Sequence, residues 1–271
     1  MFLRLQVSLC AFGLLACTGS NAVDSGADSD TVSDSRTPGE SQKIAVFDSE
    51  YVYFGDKNRR SVDISVEFPD ETKTYRSLTG EFDLDCPNNR CDWWDRYATF
   101  GVVLNAGSDE EQFIELDRFI PPYRVGFDWE SDLTHARPLL TGSVTFRIFI
   151  DTWVGEGHSN GDGWLFSASI NLEGGPPPSP EATAIIPIWG HLSWLAGLED
   201  NPVENQVIPQ TVSLPEASQY TLRSFITGHG WNNRQNCAEF CAQDHLYYIG
   251  EETYEQEIWR DDCSDTETDG M

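Results

Sequence analysis

Two short cysteine loops, each carrying a carboxylate, hold the residue types best suited to chemistry. The first lies in CPNNRCDWWDR (Cys86–Arg96), where a tryptophan pair precedes Asp95 and Arg96. Indole faces can stack on a sugar ring while an adjacent carboxylate moves protons. The second, CAEFC (Cys237–Cys241), carries Glu239. Two acids whose environments push their pKa values apart can divide acid and base work between them. Taken singly, each has a plainer reading: Asp95 as the partner of a neighbouring arginine, Glu239 as an exposed loop acid.

The spacings C-x4-C and C-x3-C suit two local disulfides, Cys86 with Cys91 and Cys237 with Cys241, in an exported protein. Rings this small constrain the unfolded chain by only ~2 kcal/mol each, so their value lies in fixing loop shape. Zinc is the competing reading, but no histidine pair stands at ligand spacing. The five histidines, His135, His158, His191, His229 and His245, include no His-x-His, and the only methionines are Met1 and Met271. Copper chemistry is therefore not expected, and no metal or other cofactor is called for. SNGDG (Ser159–Gly163) could hold calcium but serves equally well as a turn.

These loops must be positioned by strands. Val62, Ile64, Val66 and Phe68 alternate with polar residues, as do Val144, Phe146, Ile148 and Ile150. Further candidate strands are 44–54, 76–84, 97–104, 112–120 and 163–172, separated by turn residues such as Pro69-Asp70 and Gly107-Ser108-Asp109. Continuing the alternation past Ile150 puts Arg147, Asp151 and Trp153 on the face opposite the core, an acid and an indole two residues apart. No long stretch keeps a helical period. The expected fold class is all-β, beginning with an antiparallel sandwich of the jelly-roll kind over residues 43–173. GGPPPSP (Gly174–Pro180) breaks regular structure as a linker, and a second strand-rich block spans 181–271 with candidates at 183–189, 206–213, 220–228, 244–249 and 254–259.

The N-terminus has the pattern of an export signal. Arg4 precedes an apolar run from Leu5 to Ala16, too short for a bilayer span. It ends in LLAC (Leu14–Cys17), the pattern at which bacterial lipoprotein precursors are cleaved and lipidated on cysteine. Residues 1–17 are thus expected to be a lipoprotein signal, with Cys17 the lipidated residue, and Ser/Asp-rich residues 18–42 a disordered tether. A protein held by an acyl chain in the bacterial envelope, or else secreted, would keep its disulfides. With 17 Lys+Arg against 45 Asp+Glu, the formal charge of -28 disfavours nucleic acid and anionic membrane surfaces as partners.

CPNNRCDWWDRYA (Cys86–Ala98), DRFIPPYRVG (Asp117–Gly126), DTW (Asp151–Trp153) and SLPEASQYTLRSFITGHGW…CAEFC (Ser213–Cys241) together resemble the peptide-N-glycosidase F family. The resemblance runs over roughly residues 43–263. It implies two jelly-roll domains side by side, a site between them, and metal-free hydrolysis of the amide joining asparagine to the innermost sugar of an N-glycan. It makes Asp95 the principal catalytic carboxylate and Glu239 the second acid. Asp151 falls where the family carries a glutamate and is the third catalytic candidate. Trp94, Arg96, Trp153, Phe240, His229 and Trp231 become substrate-binding. Phe240 stands in place of a tryptophan, and GHGW (Gly228–Trp231) exchanges the Trp and His of the family's order. The resemblance also implies a partner for Cys263 beyond the last residue, so the second domain is expected to be shortened. The rival to an amidase is a non-catalytic surface lipoprotein binding N-glycans or glycoproteins through the same cleft.

Overall fold

The computed structural model describes residues 2–5, 35–190, 192–195, 198–228 and 242–258. Eight antiparallel strands form its larger part: β1 (Gln42–Phe54), β2 (Ser61–Phe68), β3 (Lys73–Asp85), β4 (Ala98–Leu104), β5 (Gln112–Phe119), β6 (Phe127–Asp132), β7 (Gly142–Ile150) and β8 (Trp164–Gly174). One sheet runs β2-β7-β4-β5 and the other β1-β8-β3-β6, so sequence neighbours repeatedly cross between sheets. β7 sits between β2 and β4, with Phe146 opposite Ile64 and Val102. In the other sheet β8 sits between β1 and β3, with Ile170 opposite Ile44 and Gly80.

Period-two alternation explains this pairing. Val144, Phe146, Ile148 and Ile150 are buried, whereas the odd positions between them are only half-buried. On the outer face Arg147 pairs with Asp63 at 2.7 Å and Glu111 at 2.8 Å, a satisfied place for a charge beside a sheet. Between the sheets the rings interlock: Phe100 lies 5.4 Å from Phe146, 5.0 Å from Phe82 and 6.2 Å from Phe47. Such contacts add about 0.5–1.5 kcal/mol each beyond the area they bury.

The sequence pattern located seven of these strands and passed over β6. Its residues alternate half-buried Phe127, Trp129 and Ser131 with exposed Asp128, Glu130 and Asp132. Trp129 Nε1 and Ser131 Oγ both donate to Asp117 at 2.8 Å, tying β6 to β5 across the edges of the two sheets.

Residues 175–228 depart further from expectation. The candidate strands 183–189, 206–213 and 220–228 are not strands; among the described residues of this stretch the regular element is one helical turn, α1 (Val203–Gln206). Pro187, Pro202, Pro209 and Pro215 punctuate this stretch and remove the amide donors that a ladder needs. The last two candidates do form a hairpin, β9 (Gln243–Ile249) with β10 (Glu252–Ile258), and Phe2–Leu5 runs parallel to Leu246–Ile249. Part of the expected tether is also held: Thr37–Pro38 pairs with Lys73–Thr74, and Arg36 forms an ion pair with Glu181 at 2.6 Å. The all-β class stands, with strands packed as several sheets.

Candidate active site

The loop joining β3 to β4 carries the first cysteine motif. Cys86 and Cys91 are disulfide-bonded. Within the ring, Asn88 and Asn89 take left-handed backbone conformations, φ 55° and 56°, which asparagine tolerates better than most residues. The neighbouring 155–163 loop braces the ring: Asp162 N–H donates to Arg90 O at 2.8 Å, and Trp93 N–H to Asn160 O at 3.0 Å. Gly161 packs so closely that a Cβ there would come 2.0 Å from the Cys91 carbonyl oxygen, so only glycine fits. Asp162 of SNGDG is buried, and its carboxylate is contacted by Asn88, Gly157 and Arg90.

Beyond the ring the chain presents two exposed indoles, Trp93 and Trp94, then half-buried Asp95 and Arg96. Arg124 lies across Trp93, its Cζ 4.2 Å from the ring centroid, and Tyr123 meets Trp94 edge-on at 6.5 Å. Arg96 turns its Nε and Nη2 onto a buried carboxylate. It grips Asp92, with Nε 2.8 Å from Oδ2 and Nη2 3.3 Å from Oδ1.

The segment leaving β7 meets this loop. Asp151 N–H donates to Tyr97 O at 2.9 Å, and Thr152 Oγ1 to Asp92 Oδ2 at 2.7 Å. Alternation continues past the strand as expected, with Asp151 half-exposed, Thr152 buried and Trp153 51% exposed. Arg60, just before β2, pairs with Asp151 at 2.8 Å while its guanidinium stacks on Trp153 at 4.4 Å and Phe54 at 5.1 Å. Tyr97 lies close enough to feel these charges. Burial raises its pKa above the ordinary tyrosine value, the Arg118 cation opposes this, and Glu115 and Asp151 reinforce it.

Trp94, Asp95 and Arg96 are therefore drawn to the same end of the sandwich as Asp151 and Trp153. Glu239, Phe240, His229, Trp231, Cys237, Cys241 and Cys17 lie outside the described residues. Three participants went unassigned in the motif reading. Asp92 stood inside the motif, but nothing in its spacing marked it as the buried carboxylate. Thr152 did leave a signal, a hydroxyl at an inward position after an apolar run, which needs a partner. Arg60 left none, because its role depends on β2–β7 register. Among the described residues no group of three or more His, Cys, Asp or Glu side chains is arranged to hold a metal ion.

Residues 201–268 match the family model described as peptide-N-glycosidase F, C terminal. A curated relative, peptide-N(4)-(N-acetyl-beta-D-glucosaminyl)asparagine amidase F of Elizabethkingia miricola, is 27% identical over 233 residues, covering 82% of this chain and 63% of its own. The chain thus spans less than two thirds of that relative's length. A solved structure of recombinant peptide:N-glycanase F superposes with TM-score 0.56 at 21% identity, covering 84% of this chain and 74% of the other. That of PNGase F, a glycosylasparaginase from Flavobacterium meningosepticum, gives 0.52 at 22% identity, with 81% and 71% covered. Beyond the motifs themselves, the chain is similar to peptide-N-glycosidase F in sequence and in fold.

Proposed function

We propose that this chain, similar as it is to peptide-N-glycosidase F, is an amidase that hydrolyses the asparagine–N-acetylglucosamine bond of N-glycoproteins or glycopeptides. Intact glycan leaves as a glycosylamine and asparagine becomes aspartate. The observation that carries this reading is the shared end of the sandwich where the Asp95–Arg96 pair and the Asp151–Trp153 pair are joined through Asp92 and Thr152. In the proposed mechanism Asp95 and Glu239 divide two tasks, activating the water that attacks the amide carbon and supplying a proton to the departing nitrogen. Arg96 donates to a substrate oxygen, Trp94 and Trp153 stack on the sugar rings, and Asp151 accepts from a sugar hydroxyl. Phe240, His229 and Trp231 complete the substrate surface, and no cofactor is needed.

The reading extends to location: export under a lipoprotein signal ending at Cys17, attachment to the bacterial envelope by an acyl chain, and disulfides at both cysteine loops. We further read the interleaved strand order of β1–β8 as one jelly roll. One observation favours glycan binding without hydrolysis. Arg60 engages the Asp151 carboxylate and lies over one face of Trp153, so the exposed remainder of that indole is the surface left for a sugar at that edge.

Purified protein incubated with a fluorescent N-glycopeptide separates these readings. Release of intact glycan, leaving a peptide with the mass of aspartate, and its loss in Asp95→Ala, supports the amidase. Saturable binding without release supports the lectin-like alternative.

A further inference from the structure

Asp92 is fully buried, and both of its oxygens are filled twice over. Oδ1 accepts from Trp94 N–H at 3.1 Å and Arg96 Nη2 at 3.3 Å; Oδ2 accepts from Arg96 Nε at 2.8 Å and Thr152 Oγ1 at 2.7 Å. Its carbonyl oxygen takes a further bond from Arg124 N–H at 3.2 Å. One residue therefore touches the tryptophan turn, the arginine and the segment carrying Asp151 and Trp153.

The loop has other means of holding its shape. The Cys86–Cys91 bond, the Trp93–Asn160 and Asp162–Arg90 hydrogen bonds and the Gly161–Cys91 contact already pin it to the neighbouring loop. A buried ion pair is a poor source of stability, because desolvation offsets most of its Coulomb gain. It is a good source of orientation. The pair uses the Nε–Nη2 edge of Arg96, leaving Nη1 outside it, and fixes the plane of the guanidinium. Thr152 then sets where Asp151 and Trp153 emerge on either side.

We propose that Asp92 is the positioning residue of the amidase site, coupling the Arg96 side of the site to the Asp151–Trp153 side through Thr152. The proposal rests on the amidase reading for its effect on turnover, but the coupling itself is observable without catalysis.

The test compares full-length wild type with Asp92→Asn, Thr152→Val and Thr152→Ser. Indole N–H NMR signals of Trp94 and Trp153, assigned by Trp→Phe replacement, report the two sides separately. Asp92→Asn is expected to shift both signals and lower kcat roughly tenfold to a hundredfold, as misplacement of reacting groups does. Thr152→Val is expected to shift Trp94 as well as Trp153 while melting cooperatively, and Thr152→Ser to restore the wild-type spectrum. If Asp92→Asn does not fold, Thr152→Val decides. A Thr152→Val protein whose Trp94 signal is unmoved overturns the coupling. So does an Asp92→Asn protein with wild-type signals and turnover. Wild type that releases no glycan sinks the amidase reading instead, while the indole signals still decide whether Asp92 joins the two sides.

Discussion

The sandwich of β1–β8 and the residues that follow it solve the same burial problem with unequal success. In the sandwich, Phe100, Phe146, Phe166, Trp164 and Ile170 are wholly enclosed between two sheets. Past residue 175 the buried hydrophobics among the described residues are Val203, Val207 and Tyr247, while Leu195, Ile208, Tyr220 and Tyr254 are exposed. A cavity of about 1620 Å³ lies between the two, lined by β5 and β6 residues on one side and by Ile185, Trp189, Leu222 and Tyr254 on the other. The described residues of the candidate site, Trp94, Asp95, Arg96, Asp151 and Trp153, do not line it. They sit at the end of the well-packed sandwich, where loops can be held to the tolerance that chemistry needs.

The largest effect that sharpens this contrast is catalytic. Asp95→Ala is expected to abolish glycan release, a loss of about a hundredfold or more, with the melting temperature nearly unchanged. Next come the two cores. Phe100→Ala should cost roughly 3–5 kcal/mol in chemical denaturation, as large aromatic truncations do. Val203→Ala should cost about 1–2 kcal/mol, the worth of two buried methyl groups. A Val203→Ala loss as large as that of Phe100→Ala would mean that the second region is packed more tightly than its sparse burial indicates. Trp153→Ala should then weaken glycan binding about tenfold, read by titration with a chitobiose ligand, because an exposed platform contributes on the order of 1–2 kcal/mol. An unchanged affinity would remove Trp153 from the site.

The smallest effect concerns the seam between the regions. His135, following β6, contacts Arg223, with Nη1 within 2.8 Å of the ring. Burial lowers the His135 pKa, the Arg223 cation lowers it further, and Asp132 opposes both. The unfolded chain therefore takes up a proton at about pH 6.5 while the folded chain does so only at lower pH. Stability contributed by neutral His135 is full above that value and lost as pH falls toward the lowered folded pKa. His135→Gln should flatten the decline in melting temperature over that window. A decline of the same slope in the variant would assign it to other groups.

Legibility in the sequence followed the same division. Alternation at Val62–Phe68 and Val144–Ile150 revealed strands because one face is buried and the other is wet, and it carried correctly to Asp151 and Trp153. β6 escaped notice because its inward residues are two aromatics and a serine rather than an aliphatic run. Residues 183–189, 206–213 and 220–228 read as strands from their apolar content, but Pro187 and Pro209 interrupt the first two and burial is sparse in all three, so they form no ladder. Within the site, the exposed groups announced themselves by type and spacing. The groups that hold them did not: Asp92 acts through burial, Thr152 through a hydroxyl turned inward, and Arg60 through register with β7. Positioning is a property of packing, and a motif records only what packing presents.

The central claim is that water attacks at the asparagine side-chain carbonyl. It is tested most directly by digesting an N-glycopeptide with the full-length protein in heavy-oxygen water and weighing both products. The amidase account predicts heavy oxygen in the new aspartate carboxylate and a glycan that retains its innermost N-acetylglucosamine. A peptide without heavy oxygen, its asparagine intact or still bearing a sugar residue, would contradict it.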